Sequence, residues 1–162
     1  MFTRAASYML SHGSDGLRRV AEDAVLNANY ILRSLDDVLE APFGESGPCM
    51  HEALFSDRGF GEGLSTIDVA KALIDEGFHP MTMYFPLVVH GAMLVEPTET
   101  ESKASLDQFI LALRSIAERA KAGDEALKAA PIHAPRRRLD ETLAARKPVL
   151  TYRDSEPAQA AE

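Results

Sequence analysis

Three histidines and one short acidic run are the residues best equipped for chemistry in this 162-residue chain. His51 stands beside Glu52, His79 precedes Pro80, and His90 precedes Gly91. The run Glu96-Pro97-Thr98-Glu99-Thr100-Glu101-Ser102 then crowds carboxylates and hydroxyls around a proline. Imidazoles and carboxylates exchange protons, hold polar substrates and ligate metals. A metal is not expected. No two of these histidines have the close helical spacing of a zinc hydrolase, and Cys49-x-His51 is too short an island to count as a motif.

The acidic run also has a structural use. Helix amino termini expose N–H groups and carry the positive end of the dipole, so hydroxyls and carboxylates gather there. Thr98 and Glu101 have capping-box spacing, which puts a helix start near Glu99. Capping leaves Glu96 unexplained: a carboxylate at the end of a strand, locked before a proline, needs an Arg, a His or a backbone amide. Together these residues read as a polar edge of a sheet.

The elements that must position this edge follow from periodicity. Leu17, Val20, Ala21, Ala24, Val25, Ala28, Ile31, Leu32 and Leu35 recur at helical spacing and predict a helix over 16–39, with Pro42 and Gly44 beyond it. Asn27 and Asn29 interrupt its composition, since Asn favours turns and caps over helix interiors. They read either as exposed or locally bonded amides, or as a face toward another domain. MHEALFS (50–56) reads as a strand with His51 and Glu52 on opposite faces. The glycine loop at 59–63 lacks the Gly-Lys-Ser/Thr of a phosphate loop. A helix follows over STIDVAKALIDEG, with Ser65 and Asp68 as a capping box and Gly77 as its stop. MTMYF (81–85) and GAMLVE (91–96) predict two more strands, each ended by a proline. A last long helix is expected over 99–122, where Leu106, Phe109, Ile110, Leu113, Ile116, Ala117 and Ala120 share a face and Gly123 ends it. DEALKAA adds a turn or two. This order gives an α+β fold, a small antiparallel sheet covered by helices. Three parts are expected: 1–15 as the end of an interdomain helix region, 16–130 as the α+β domain, and 131–162 as an extended, partly disordered tail.

Charge and composition narrow the partners. Lys and Arg number 17 against 25 Asp and Glu, a net charge of −8, so nucleic acid is not expected. The single cysteine excludes an internal disulfide and suits a reducing, cytoplasmic setting. No apolar run approaches the roughly 20 residues of a membrane span.

Four blocks taken together resemble one family. AVLNANYIL (24–32), MHEALF (50–55), GLSTIDVAKALIDEGFHPMTMYFP (63–86) and HGAMLVEPTETESK (90–103) are similar to the C-terminal region of glycine dehydrogenase (decarboxylating), the P-protein of the glycine cleavage system. The likeness runs in order over about residues 4–122. RRLDETLAARKPVL (137–150) resembles the tail of subunit 2 of the bacterial split form. The resemblance implies a type I pyridoxal-phosphate fold, with this chain as its C-terminal small domain. It implies glycine decarboxylation with transfer of the aminomethyl group to the lipoyl arm of the H-protein, pyridoxal phosphate acting as the electron sink. The family's Schiff-base lysine follows a histidine in the large domain. Lys71, Lys103, Lys121 and Lys128 fall on predicted helices and Lys147 in the tail, so the catalytic lysine is expected on another part of the enzyme, and this segment is expected to be inactive alone. The partners so implied are that remaining domain or subunit, the lipoyl H-protein and glycine. On this reading His51, His79, Glu96 and Thr98 line the substrate or lipoyl cleft, and Glu52, His90, Glu99 and Ser102 stand at its edge. The alternative is a stand-alone, non-catalytic binding or regulatory module derived from that domain.

Overall fold

The computed structural model describes residues 1–61 and 63–151. Glu62, and residues 152–162 at the end of the expected tail, lie outside the described residues. Among the described residues eight α-helices and β-strands follow one another: α1 (Phe2–Leu35), β1 (Ala53–Phe55), α2 (Thr66–Asp75), β2 (Thr82–Met83), β3 (Met93–Val95), α3 (Lys103–Lys121), α4 (Ala126–Ala129) and α5 (Glu141–Arg146). The sheet is antiparallel in the order β1-β3-β2, as the α+β reading expects.

Each strand is shorter than its apolar run. Within 50–56, Ala53, Leu54 and Phe55 pair with β3, and Ser56 makes only an isolated antiparallel bridge to Glu40. Residues 81–85 shrink to a pair at Thr82 and Met83. The reason is Tyr84, whose φ of 59° turns the chain out of the extended region. A bulky residue is strained there, because its Cβ crowds the carbonyl oxygen. Side chains alternate as the pleat demands: Ala53, Phe55, Met93 and Val95 are buried, while Leu54 and Leu94 are half-buried on the other face.

The core forms where α1, α3 and α2 close over the buried face. Ile31, Leu32, Leu35, Leu73, Leu113 and Ile116 pack with Phe55 and Met93. The first helix differs from expectation at both ends. It starts at Phe2 and stops at Leu35 rather than Leu39, and Gly13 breaks its geometry at φ 63°, ψ −176°. Its buried residues all lie at Ala28 or later, so the half before Gly16 is exposed throughout.

The most local expectation holds in detail. Ser65 and Asp68 form the capping box of α2, and Gly77 follows at φ 85°. Asp68 also accepts a 2.7 Å bond from Arg138, which fastens the chain after α4 to α2. The same stretch is held again where Asp75 accepts from the backbone N–H groups of Ile132 and His133. Ile132, His133, Arg138 and Glu141 therefore tie this stretch to α2, and Glu141 opens the short helix α5.

Burial pushes the Asp68 carboxyl up, but hydrogen bonds from Ser65 and the Arg138 guanidinium outweigh it and hold the group below its usual value of 3.8. The folded state then binds this proton less readily than the unfolded chain does. Its stabilisation is present above the unfolded value and fades as pH falls through the lower folded one. Asp68→Asn should cost about 1–2 kcal/mol at neutral pH. The gap from the parent should close at strongly acidic pH, as read by urea melts across that range.

Candidate functional site

The end of β3, the turn after it and the amino end of α3 border a groove of about 380 Å³. Its floor is apolar, with Ile31 from α1, Phe78, Leu94 from β3, and Leu106 and Phe109 from α3. Phe78 and Phe109 meet edge-to-face with ring centroids 5.4 Å apart, a favoured arrangement that fixes one wall. Polar groups stand around this floor: His79, Glu96, Thr98, Glu101 and Ser105.

Three of the four residues expected to line a cleft, His79, Glu96 and Thr98, border this groove. His51 reaches the same corner by touching Glu96, with Nε2 3.6 Å from its carboxylate. The expectation that His51 and Glu52 point to opposite faces is corrected. Neither lies in the strand, and the His51 Nε2 is 3.9 Å from the Glu52 carboxylate. His51, Glu52 and Glu96 thus form one cluster whose ligand atoms lie within 4.8 Å of one another. Its side chains are each more than a third exposed. Glu96 has in His51 the partner that its position required.

The outer residues separate. Glu99 accepts a 2.7 Å hydrogen bond from the Tyr8 hydroxyl, which joins the exposed half of α1 to the acidic turn. That bond holds the Glu99 carboxyl below its usual range and pushes the Tyr8 phenol up. Ser102 is the N-cap of α3: its Oγ accepts from the Ser105 N–H at 3.1 Å. The predicted start near Glu99, with Thr98 as cap, is therefore wrong by one turn. Thr98 instead turns its hydroxyl to Thr100 and gives its carbonyl to the Asn27 amide at 3.0 Å. The Asn27 contact comes from 71 residues away in sequence, which local spacing cannot foresee.

His90 is not in the groove's lining. Its Nδ1 lies 3.1 Å from the buried Asp57 carboxylate, while the ring is 73% exposed. Asp57 and Ser105 are not singled out by the sequence, and Glu101 is marked there only as a capping partner of Thr98. The only sequence hint was the glycine beside His90: a Cβ on Gly91 would lie 1.8 Å from the Asp57 Cγ.

Both asparagines of α1 bind within the fold. Asn29 donates to the Cys49 carbonyl and accepts from its N–H, at 2.8 and 2.9 Å, so it pins the loop leading to His51. All five lysines lie among the described residues, and none borders the groove. Lys71, Lys103 and Lys128 are each engaged by a carboxylate on the surface. Among the described residues no helix is long and apolar enough to cross a membrane.

A family model described as the C-terminal domain of glycine dehydrogenase matches residues 20–134. A probable glycine dehydrogenase (decarboxylating) subunit 2 from Caulobacter vibrioides is 70% identical over 155 residues, covering 94% of this chain and 29% of the relative. The Shouchella clausii protein of the same description is 49% identical over 150 residues, covering 92% and 30%. Among solved structures, an inhibitor-bound glycine decarboxylase (P-protein) of the glycine cleavage system matches with a TM-score of 0.57 and 25% identity. That match covers 68% of this chain and 24% of the other. The chain spans about 30% of the length of the curated relatives it matches.

Proposed function

The chain belongs to the glycine dehydrogenase C-terminal domain family, and on that premise we propose that it forms one wall of the cleft of a pyridoxal-phosphate-dependent glycine decarboxylase. The observation carrying this reading is the groove beside Glu96-Pro97-Thr98: an apolar trough with a polar rim and no lysine. Such a trough suits closure over a small zwitterion or an aliphatic arm, with water excluded by the floor and orientation set by the rim.

The residues of this chain do not suit the cofactor itself. An anchoring lysine must stand free at the site, and here the groove has none. Pyridoxal phosphate, the electron sink of the reaction, is therefore assigned to the part of the enzyme beyond this chain. The tasks left to this chain are positional. His79, Glu96 and Thr98 hold glycine or the lipoyl arm of the H-protein at the rim, and His51 with Glu52 orients Glu96. Glu99 and Ser102 support them by tying the acidic turn to α1 and starting α3. His90 acts outside the groove. The setting is the cytoplasm, where a lone cysteine stays reduced.

The test uses the purified 162-residue chain with pyridoxal phosphate, labelled glycine and lipoylated H-protein. No lysine-linked absorbance band and no labelled CO2 are expected. Release of CO2 is expected once the remaining part of the relatives' enzyme is supplied. Decarboxylation by this chain unaided would refute the assignment.

A further inference from the structure

Residues 84–91, between β2 and β3, form a loop pinned at both ends and bare in the middle. At one end the Tyr84 N–H donates to the Ala92 carbonyl at 2.8 Å, and the Tyr84 hydroxyl accepts from the Ile67 N–H at 3.3 Å. At the other, the Gly91 carbonyl accepts from the Thr66 hydroxyl at 2.7 Å and from the Asp57 N–H at 3.1 Å. His90 rests on Asp57, and the Val89 N–H closes the tip onto the Pro86 carbonyl at 3.1 Å. Between these pins Phe85, Leu87 and Val88 are 58%, 88% and 84% exposed. A backbone held in advance loses little freedom on binding, so its apolar side chains contribute most of their burial to affinity. The left-handed Tyr84 is the kind of strain kept where a segment must be aimed.

We propose that this loop is the plug by which the domain docks onto the part of a glycine dehydrogenase subunit 2 that the relatives carry ahead of it, seating Phe85, Leu87 and Val88 in an apolar hollow there. The inference rests on the family reading above. Two observations select this occupant. More than two-thirds of the length of the Caulobacter and Shouchella relatives lies outside the match, and the matched part is the C-terminal domain, so in those relatives the remainder is a covalently tethered neighbour. Tethering raises effective concentration and lets a small patch suffice. A free partner such as a second copy needs roughly 800 Å² on each side, more than three side chains supply. Two copies would also bring together net charges of −8.

The test places this chain, whole, in the Caulobacter subunit in exchange for its matched 155 residues, and compares that chimera with the 162-residue chain. Hydroxyl-radical labelling of Phe85, Leu87 and Val88 should fall about tenfold in the chimera, as exposed side chains enter a packed contact. In L87D/V88D the protection of Phe85 should vanish in the chimera, while the 162-residue chain melts where its parent does. Equal labelling in chimera and chain would overturn the docking. So would protection that appears only when the companion subunit is added, or in the chain alone as its concentration rises. A parent chimera that, with its companion subunit and H-protein, releases no CO2 from glycine would instead remove the proposed role in glycine decarboxylation on which the docking rests.

Discussion

Gly91→Ala is expected to destabilise this chain by about 3 kcal/mol or more, the sum of overpacking and of forcing a side chain into left-handed backbone. The added methyl carbon would lie 1.8 Å from Cγ and 1.9 Å from Oδ1 of Asp57, at a residue whose φ is +55°. Relief is hard to find on either side. Asp57 is buried, its carboxylate lies 3.2 Å from the Thr66 hydroxyl and 3.1 Å from His90, and its N–H is bonded to Gly91 itself. Moving Asp57 out of the way breaks the contacts that hold the end of the loop. Chemical denaturation should show the loss. Amide exchange should show it concentrated at Thr66, His90 and Gly91. A midpoint within about 0.5 kcal/mol of the parent, the scatter of ordinary surface changes, would mean that the loop is not packed against Asp57.

Phe55→Ala should cost about 3–5 kcal/mol, the range for emptying a fully buried aromatic site. Phe55 has no exposure, is paired with Met93 across the sheet, and stands where the core meets β1. Its own strand β1 and the neighbouring β3 are three residues each, so few other contacts can absorb the cavity. Phe85→Ala provides the contrast within one protein. Its ring is more than half exposed, and in the isolated chain the change should stay within about 0.5 kcal/mol. Thermal or urea melts of the two variants side by side measure the difference. Similar losses from both would show Phe85 to be part of the core.

The elements that could be read from sequence are those whose signals are local. Ser65, Asp68 and Gly77 lie within one helix and its ends, and they specify α2 without help from the rest of the fold. The apolar stripe of α3 likewise finds its face. What could not be read depends on distant partners. Thr98 and Glu101 carry a valid capping pattern, yet Asn27 takes the Thr98 carbonyl and leaves Ser102 to cap α3. Strand lengths fail for a related reason, since β-pairing lasts only as long as a neighbour is present: β1 ends with the reach of β3, and β2 ends at the turn of Tyr84.

The candidate site divides along the same line. The acidic turn announced itself because its composition is unusual, and His79, Glu96 and Thr98 do share a groove. His51 joins them through Glu96, by a geometry that strand alternation alone would deny. His90 sounded equivalent but belongs to the Asp57 contact. The groove's floor was visible only as ordinary core residues, because nothing in the type of Ile31 or Phe109 distinguishes a trough from an interior.

The interrupted first helix has a mechanical consequence. From Gly13 to Asn27 the rod runs about 20 Å at 1.5 Å per residue, and its far portion is free of the core. Yet it is fastened to the acidic turn at two points, by Tyr8 on one side of the Gly13 break and by Asn27 on the other. Ile31 of the same rod is part of the trough floor. One helix is thereby the common support of the acidic turn, through Tyr8 and Asn27, and of the trough floor, through Ile31.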